Sequence, residues 1–125
     1  MNRLVITPAV VERDAVLALT GELDMGGEEP LAEAVEKLID ASYRRVVLDC
    51  TGVAFCDSRG FNALLAARQA TQDAGGALAL AAISERLQSL LALVAGEMIF
   101  NIAPTVEQAR LLLAGCAINS EAEPA

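Results

Sequence analysis

The 125-residue sequence has no histidine and no tryptophan, and aromatic residues make up only 3% of it. Without histidine the commonest general base is missing, and no Ser-His-Asp or Cys-His arrangement can be drawn. Hydrolase chemistry of that kind is excluded. There is one lysine, Lys37, and the formal net charge is −8, which argues against any direct, sequence-independent grip on nucleic acid. Neither a GxxxxGK[ST] phosphate loop nor a GxGxxG turn is present, so the chain has no means of its own to activate a nucleotide. The three cysteines, Cys50, Cys56 and Cys116, are odd in number and form no CxxC pair, which suggests neither a disulfide framework nor a zinc site. Cys50 and Cys56 are read as small hydrophobes rather than redox groups, with reduced thiols in a cytoplasm as the expected setting. No metal and no other cofactor is expected. Leu4–Ile6 is cut short by Pro8 and followed by Glu12 and Asp14, unlike a signal peptide. The longest purely apolar run, Ala77–Ile83, is far too short to span a bilayer, so no membrane contact is expected.

What the chain does have is aliphatic mass. Hydrophobic residues make up 54%, enough for one domain whose core is packed from Ala, Leu, Val and Ile. The organising stretch is Val46–Gly60, VVLDCTGVAFCDSRG. Val46, Val47 and Leu48 suit a buried strand, which Asp49, Thr51 and Gly52 are expected to end. Asp57 and Ser58, both strong N-cap types, then precede Phe61, Leu64, Leu65 and Arg68, whose spacing makes one helical stripe. Unpaired amides and the positive end of the helix dipole meet at such a start, so an added phosphate at Ser58 could be held there. Equally, either residue could be only a cap, worth about 1 kcal/mol.

The remaining elements follow from turn and cap signals. Leu4–Thr7 and Ala15–Thr20 read as a hairpin with a turn at Val11–Asp14, after which Gly21–Asp24 is expected to leave the sheet. Gly26, Gly27 and Pro30 lead into a helix with Glu28 and Glu29 in its first turn and an inward stripe of Leu31, Ala34, Val35, Leu38 and Ile39. Gly75-Gly76 ends the Ser58 helix, and Ala77–Ala81 is a strand. Ser84 caps a helix from Glu85 to about Ala95, facing Leu87, Leu90, Leu91 and Val94 inward. Met98–Ile102 is a short last strand, and Thr105 opens a helix that stops at Gly115. The order is β-β-α-β-α-β-α-β-α: an α/β fold with a mixed sheet of about five strands and about four helices, the later strands parallel. Residues 1–115 are expected to form the domain and 116–125 a flexible acidic tail. Asp24, Asp49 and Asp57 lie near element ends that could converge, as in a phosphorylated receiver domain. The required late lysine and acidic pair are absent.

Taken together, LTGELD (Leu19–Asp24), VVLDCTGVAFCDSRG (Val46–Gly60), GGALALAAIS (Gly75–Ser84) and PTVEQA (Pro104–Ala109) resemble the STAS domain of bacterial anti-sigma-factor antagonists, in the right order and over nearly the whole chain. The resemblance implies a non-enzymatic protein that binds an anti-sigma-factor serine kinase when unphosphorylated, releasing a sigma factor. By the same resemblance Ser58 matches the serine that this kinase phosphorylates, and a separate serine phosphatase reverses the step. Asp57 and Gly60 match the residues beside that serine, while Gly21 and Asp24 match a nearby loop of the partner-binding face. Arg59 and Asn62 belong to the same face but stand where the family usually has a small residue and a glycine. The alternative within the family is a structural subunit, in a stress-signalling scaffold or a lipid-transport ABC complex. A third reading is weak nucleotide or small-ligand binding in the Asp24–Ser58 cleft.

Overall fold

The computed structural model describes residues 3–24, 26–93 and 99–116. In chain order these form β1 (Val5–Val11), β2 (Asp14–Leu23), α1 (Glu28–Asp40), β3 (Arg45–Cys56), α2 (Ser58–Asp73), β4 (Ala77–Ala81), α3 (Glu85–Leu93), β5 (Asn101–Ala103) and α4 (Val106–Ala114). The strands lie side by side in sequence order, β1 antiparallel to β2 and every later pair parallel. This is the mixed five-stranded sheet with four helices expected from the alternation of patterns. No described helix is long and apolar enough to cross a membrane.

Alternation along the strands gives the sheet two buried faces. Ala15, Leu17, Leu19, Val46, Leu48, Leu78 and Leu80 pack with Leu31 and Val35 of α1, Phe61 and Leu64 of α2 and Leu87 and Leu91 of α3. Val16, Val47, Ala77, Ala79, Ala81 and Ala103 meet Ala109 and Leu113 of α4 on the other face. Leucine fills the thick side, where three helices cover the sheet; alanine lets the single helix α4 sit close. One aromatic pair, Phe61 and Phe100, meets edge to face at 6.1 Å beneath the start of α2.

Four strands differ in their bounds from the sequence reading. β1 runs on through Pro8 to Val11, because an edge strand tolerates a residue with no N–H to donate, and the turn shrinks to Glu12-Arg13. β2 does not leave the sheet at Gly21 but continues to Leu23, and β3 does not stop after Leu48 but continues to Cys56. The two extensions pair with each other beyond the end of β4, whose last partner on β3 is Asp49. Register shifts between Ala18 and Thr20 and between Gly21 and Glu22 absorb extra residues of β3, so a polar, glycine-containing stretch stays in the ladder. β5 is Asn101–Ala103 rather than a strand beginning at Met98. Met98, Val94, Ala95 and residues 117–125 of the expected tail lie outside the described residues.

Candidate functional site

The β2–β3 ribbon delivers two chain segments to the start of α2. Leu23 pairs with Cys56, and its carbonyl accepts the Asp57 N–H at 3.4 Å. The same carbonyl lies against Gly60, where any Cβ would run into it and into Cys56 Sγ. Glycine is required at 60 by that close approach, whatever the helix would prefer. Gly21, buried and paired with Val53, holds φ 113, a left-handed backbone that glycine adopts without strain.

Asp57 is the cap of α2. Its Oδ1 accepts the N–H groups of Arg59 and Gly60, each at 3.0 Å, and its carbonyl accepts that of Phe61 at 2.9 Å. This decides between the two cap candidates: Ser58 is the first helical residue and not the cap. It also corrects the expectation that the helix start stands open to an anion, since a carboxylate already fills the Arg59 and Gly60 amides. Ser58 is exposed, and among the described residues its hydroxyl has no hydrogen-bond partner. Arg59 and Asn62 are exposed beside it, one helical turn apart, with the buried Phe61 between them.

Asp24 is half-buried and closes a turn ahead of α1: its Oδ1 accepts the Gly26 N–H at 3.1 Å and its carbonyl accepts the Gly27 N–H at 2.9 Å. Gly21, Asp24, Asp57, Ser58 and Gly60 are thus brought to one end of the sheet. The three aspartates do not pool. Asp49 is bonded to the N–H and hydroxyl of Thr51, at 3.1 and 2.6 Å, and among the described residues no acidic group is arranged to hold a metal ion. Cavities of about 680 and 460 Å³ lie elsewhere, one between the β1–β2 turn and α4, the other between β1 and α1.

Two residues of this end were not singled out by sequence. Leu23 acts through its carbonyl, which no side-chain pattern reports. Phe55 is 37% exposed although it belongs to a strand with Val53 buried two residues earlier. The register shift explains it: Val53 and Phe55 oppose the neighbouring residues Gly21 and Glu22, so they face opposite sides. An aromatic residue just ahead of Asp57 in a chain so poor in aromatics was the available signal. The thiols are free. Burial, followed by the charge of Asp49, pushes Cys50 up to about 12, and burial, followed by Asp57, does the same to Cys56. Both are held as neutral thiols, as expected of small hydrophobes.

The profile of the STAS domain family matches residues 6–109, and the chain belongs to that family. An anti-sigma factor antagonist from Mycobacterium paratuberculosis has the same fold, with a TM-score of 0.78 at 21% identity over 89% of this chain and 94% of that one. The Bacillus cell fate determinant SpoIIAA in its phosphorylated form matches with a TM-score of 0.67 at 20% identity, over 86% of this chain and 98% of that one. The murine anion transporter solute carrier 26 family member A9 matches at 0.71 with 15% identity, over 93% of this chain but only 23% of that one. At such identities the likeness is one of fold.

Proposed function

We propose that the chain is an anti-sigma-factor antagonist. Unphosphorylated, it binds an anti-sigma-factor serine kinase and so frees a sigma factor in the cytoplasm; phosphorylation at Ser58 ends that binding, and a serine phosphatase restores it. The observation that carries the reading is the exposed, unbonded Ser58 hydroxyl at the first position of α2, within a chain of the STAS family. A kinase can reach it. The docking surface in this reading is Asp24, Asp57, Ser58, Arg59 and Asn62, with Gly21 and Gly60 shaping the backbone beneath and Phe55 as the apolar anchor.

The energetics are sufficient. A phosphoryl group adds about −1.5 to −2 of charge at neutral pH, next to Asp57 and on a chain already at −8. Affinity falls tenfold for each ~1.4 kcal/mol, so repulsion and desolvation of a few kcal/mol empty the complex. The test is incubation with ATP and the serine kinases of the same genome, with the phosphate mapped by mass spectrometry. Phosphate on Ser58, binding retained by Ser58→Ala and abolished by Ser58→Asp are the expected results. Equal binding by the two variants overturns the switch.

The transporter neighbour favours one other reading, a structural subunit of a larger assembly such as a stress-signalling scaffold or a lipid-transport complex, since there the fold makes up only 23% of the chain. Recovery of permease and ATPase subunits with the native protein, unaffected by Ser58→Asp, selects that reading.

A further inference from the structure

If Ser58 is the modified residue, as proposed above, the start of α2 dictates where its phosphate goes. A helix begins with donors that have no intrahelical acceptor, and these are what ordinarily seat a phosphate. Here they are spoken for. The Asp57 N–H goes to the Leu23 carbonyl, and the Arg59 and Gly60 N–H groups both go to Asp57 Oδ1. Among the described residues, the N–H of Ser58 itself is the one left without an acceptor.

We infer that Asp57 denies the phosphate a seat on the amides of α2: its carboxylate occupies the Arg59 and Gly60 N–H groups, so of the backbone donors at this helix start only the N–H of Ser58 itself is left for the phosphoryl group, which stands outward. Displacing the carboxylate would strip the cap and leave two anions crowded at one helix end. The amides cannot swing outward to serve both, because Gly60 is clamped against the Leu23 carbonyl with no room for even a methyl group. Asp57 is therefore a positioning residue. It keeps the modified chain's fold unchanged, adds its own charge to that of the phosphate, and presents the phosphate monoester free for hydrolysis by a phosphatase. A seated phosphate would be partly neutralised by the helix dipole and shielded from both partners. Here a carboxylate already takes the amides through which that neutralisation would act most strongly.

The test uses the full chain with phosphoserine placed at position 58 by genetic encoding, compared by amide ¹H–¹⁵N spectra before and after phosphatase treatment. In the unsubstituted chain the Ser58 amide proton moves downfield on phosphorylation while those of Arg59 and Gly60 hold their positions. In Asp57→Ala the Arg59 and Gly60 amides are vacant, and both move downfield together as the phosphate takes them. Asp57→Gly, the milder loss at a cap position, supplies the same vacancy if the alanine variant folds poorly. Downfield movement of Arg59 and Gly60 in the unsubstituted chain overturns the inference, as does their failure to move in the vacated variants. Because the phosphoserine is encoded, failure of any kinase to modify Ser58 would sink the proposed switch without touching this result.

Discussion

An aspartate organises each end of the parallel strands, and the two work in opposite ways. The carboxylate of Asp57, at the carboxyl ends, is bonded to its own neighbourhood, to amides two and three residues on. Asp14, at the amino ends, is buried and reaches across the fold: Oδ2 accepts Arg110 Nε at 2.7 Å, from a residue 96 positions away, and Oδ1 faces Arg45 Nε at 3.2 Å. Arg110 goes on to Glu12 at 2.7 Å. One end is thus laced together by side chains from β1–β2, β3 and α4, while at the other the side-chain bonds are separate local caps. On the function proposed above, this division lets the Ser58 end be modified or bound without loosening the tie at the far end.

Breaking Asp14 gives the largest expected effect. Asp14→Ala leaves Arg110, 15% exposed, and Arg45, 29% exposed, without their shared acceptor. Removing one partner of a buried pair costs about 3 to 5 kcal/mol; the lower figure applies here because Arg45 keeps contact with water. A loss of about 3 kcal/mol in urea unfolding is expected, with binding to the proposed kinase partner unchanged in the protein that remains folded. A loss below about 1 kcal/mol would place the network with ordinary surface ion pairs and erase the contrast between the ends.

Asp57→Ala is expected to cost about 1 kcal/mol, the worth of one cap, and Asp57→Asn close to nothing, since the amide oxygen caps as well as a carboxylate. If Asp57→Ala matched Asp14→Ala, the Ser58 end would be as deeply tied as the other, and the division of labour would fail.

The contrast also explains what the sequence made legible. Caps are short-range: Asp57, Ser84 and Thr105 each bond an amide two or three residues on, at 3.0 to 3.1 Å, and each was visible as a residue type placed before an apolar stripe. Asp14 looked like one more turn residue. Its importance lies in Arg45 and Arg110, and no local pattern connects them. The same distinction separates the elements. Helices α1 and α2 and strand β4 follow their periodicity, whereas the outer halves of β2 and β3 exist because each supplies the other's ladder partners across two register shifts. Gly21, Asp49 and Gly52 argue against a strand taken singly, and pairing overrides them. Exposed Ser58 was legible in type and place, but its hydrogen bonding was not, because the choice between Asp57 and Ser58 as cap depends on backbone angles that both residues permit.

The smallest effect lies between the two ends, in the thiols beneath the ribbon. Cys50 is buried, and its proton is held in the folded state from an ordinary 9.0 up to about 12. Between those values the unfolded chain loses the proton and the folded chain keeps it, so stability is fully present below pH 9 and falls as pH rises toward 12. At pH 9 this one thiol removes about 0.4 kcal/mol, and Cys50→Ala lessens the slope above that pH, leaving the share of Cys56, although its baseline is lower. Labelling by a disulfide reagent at pH 8 reads the same thiols kinetically. Cys56, next to the cap, is expected to react before Cys50 through local opening of the α2 start. Asp57→Ala then accelerates Cys56 under native conditions, whereas Asp14→Ala, acting through global stability, accelerates Cys50 and leaves the local route to Cys56 unchanged. Equal acceleration of both thiols by Asp57→Ala would mean that the two ends open as one unit, and that the Ser58 end has no independence to lend to a switch.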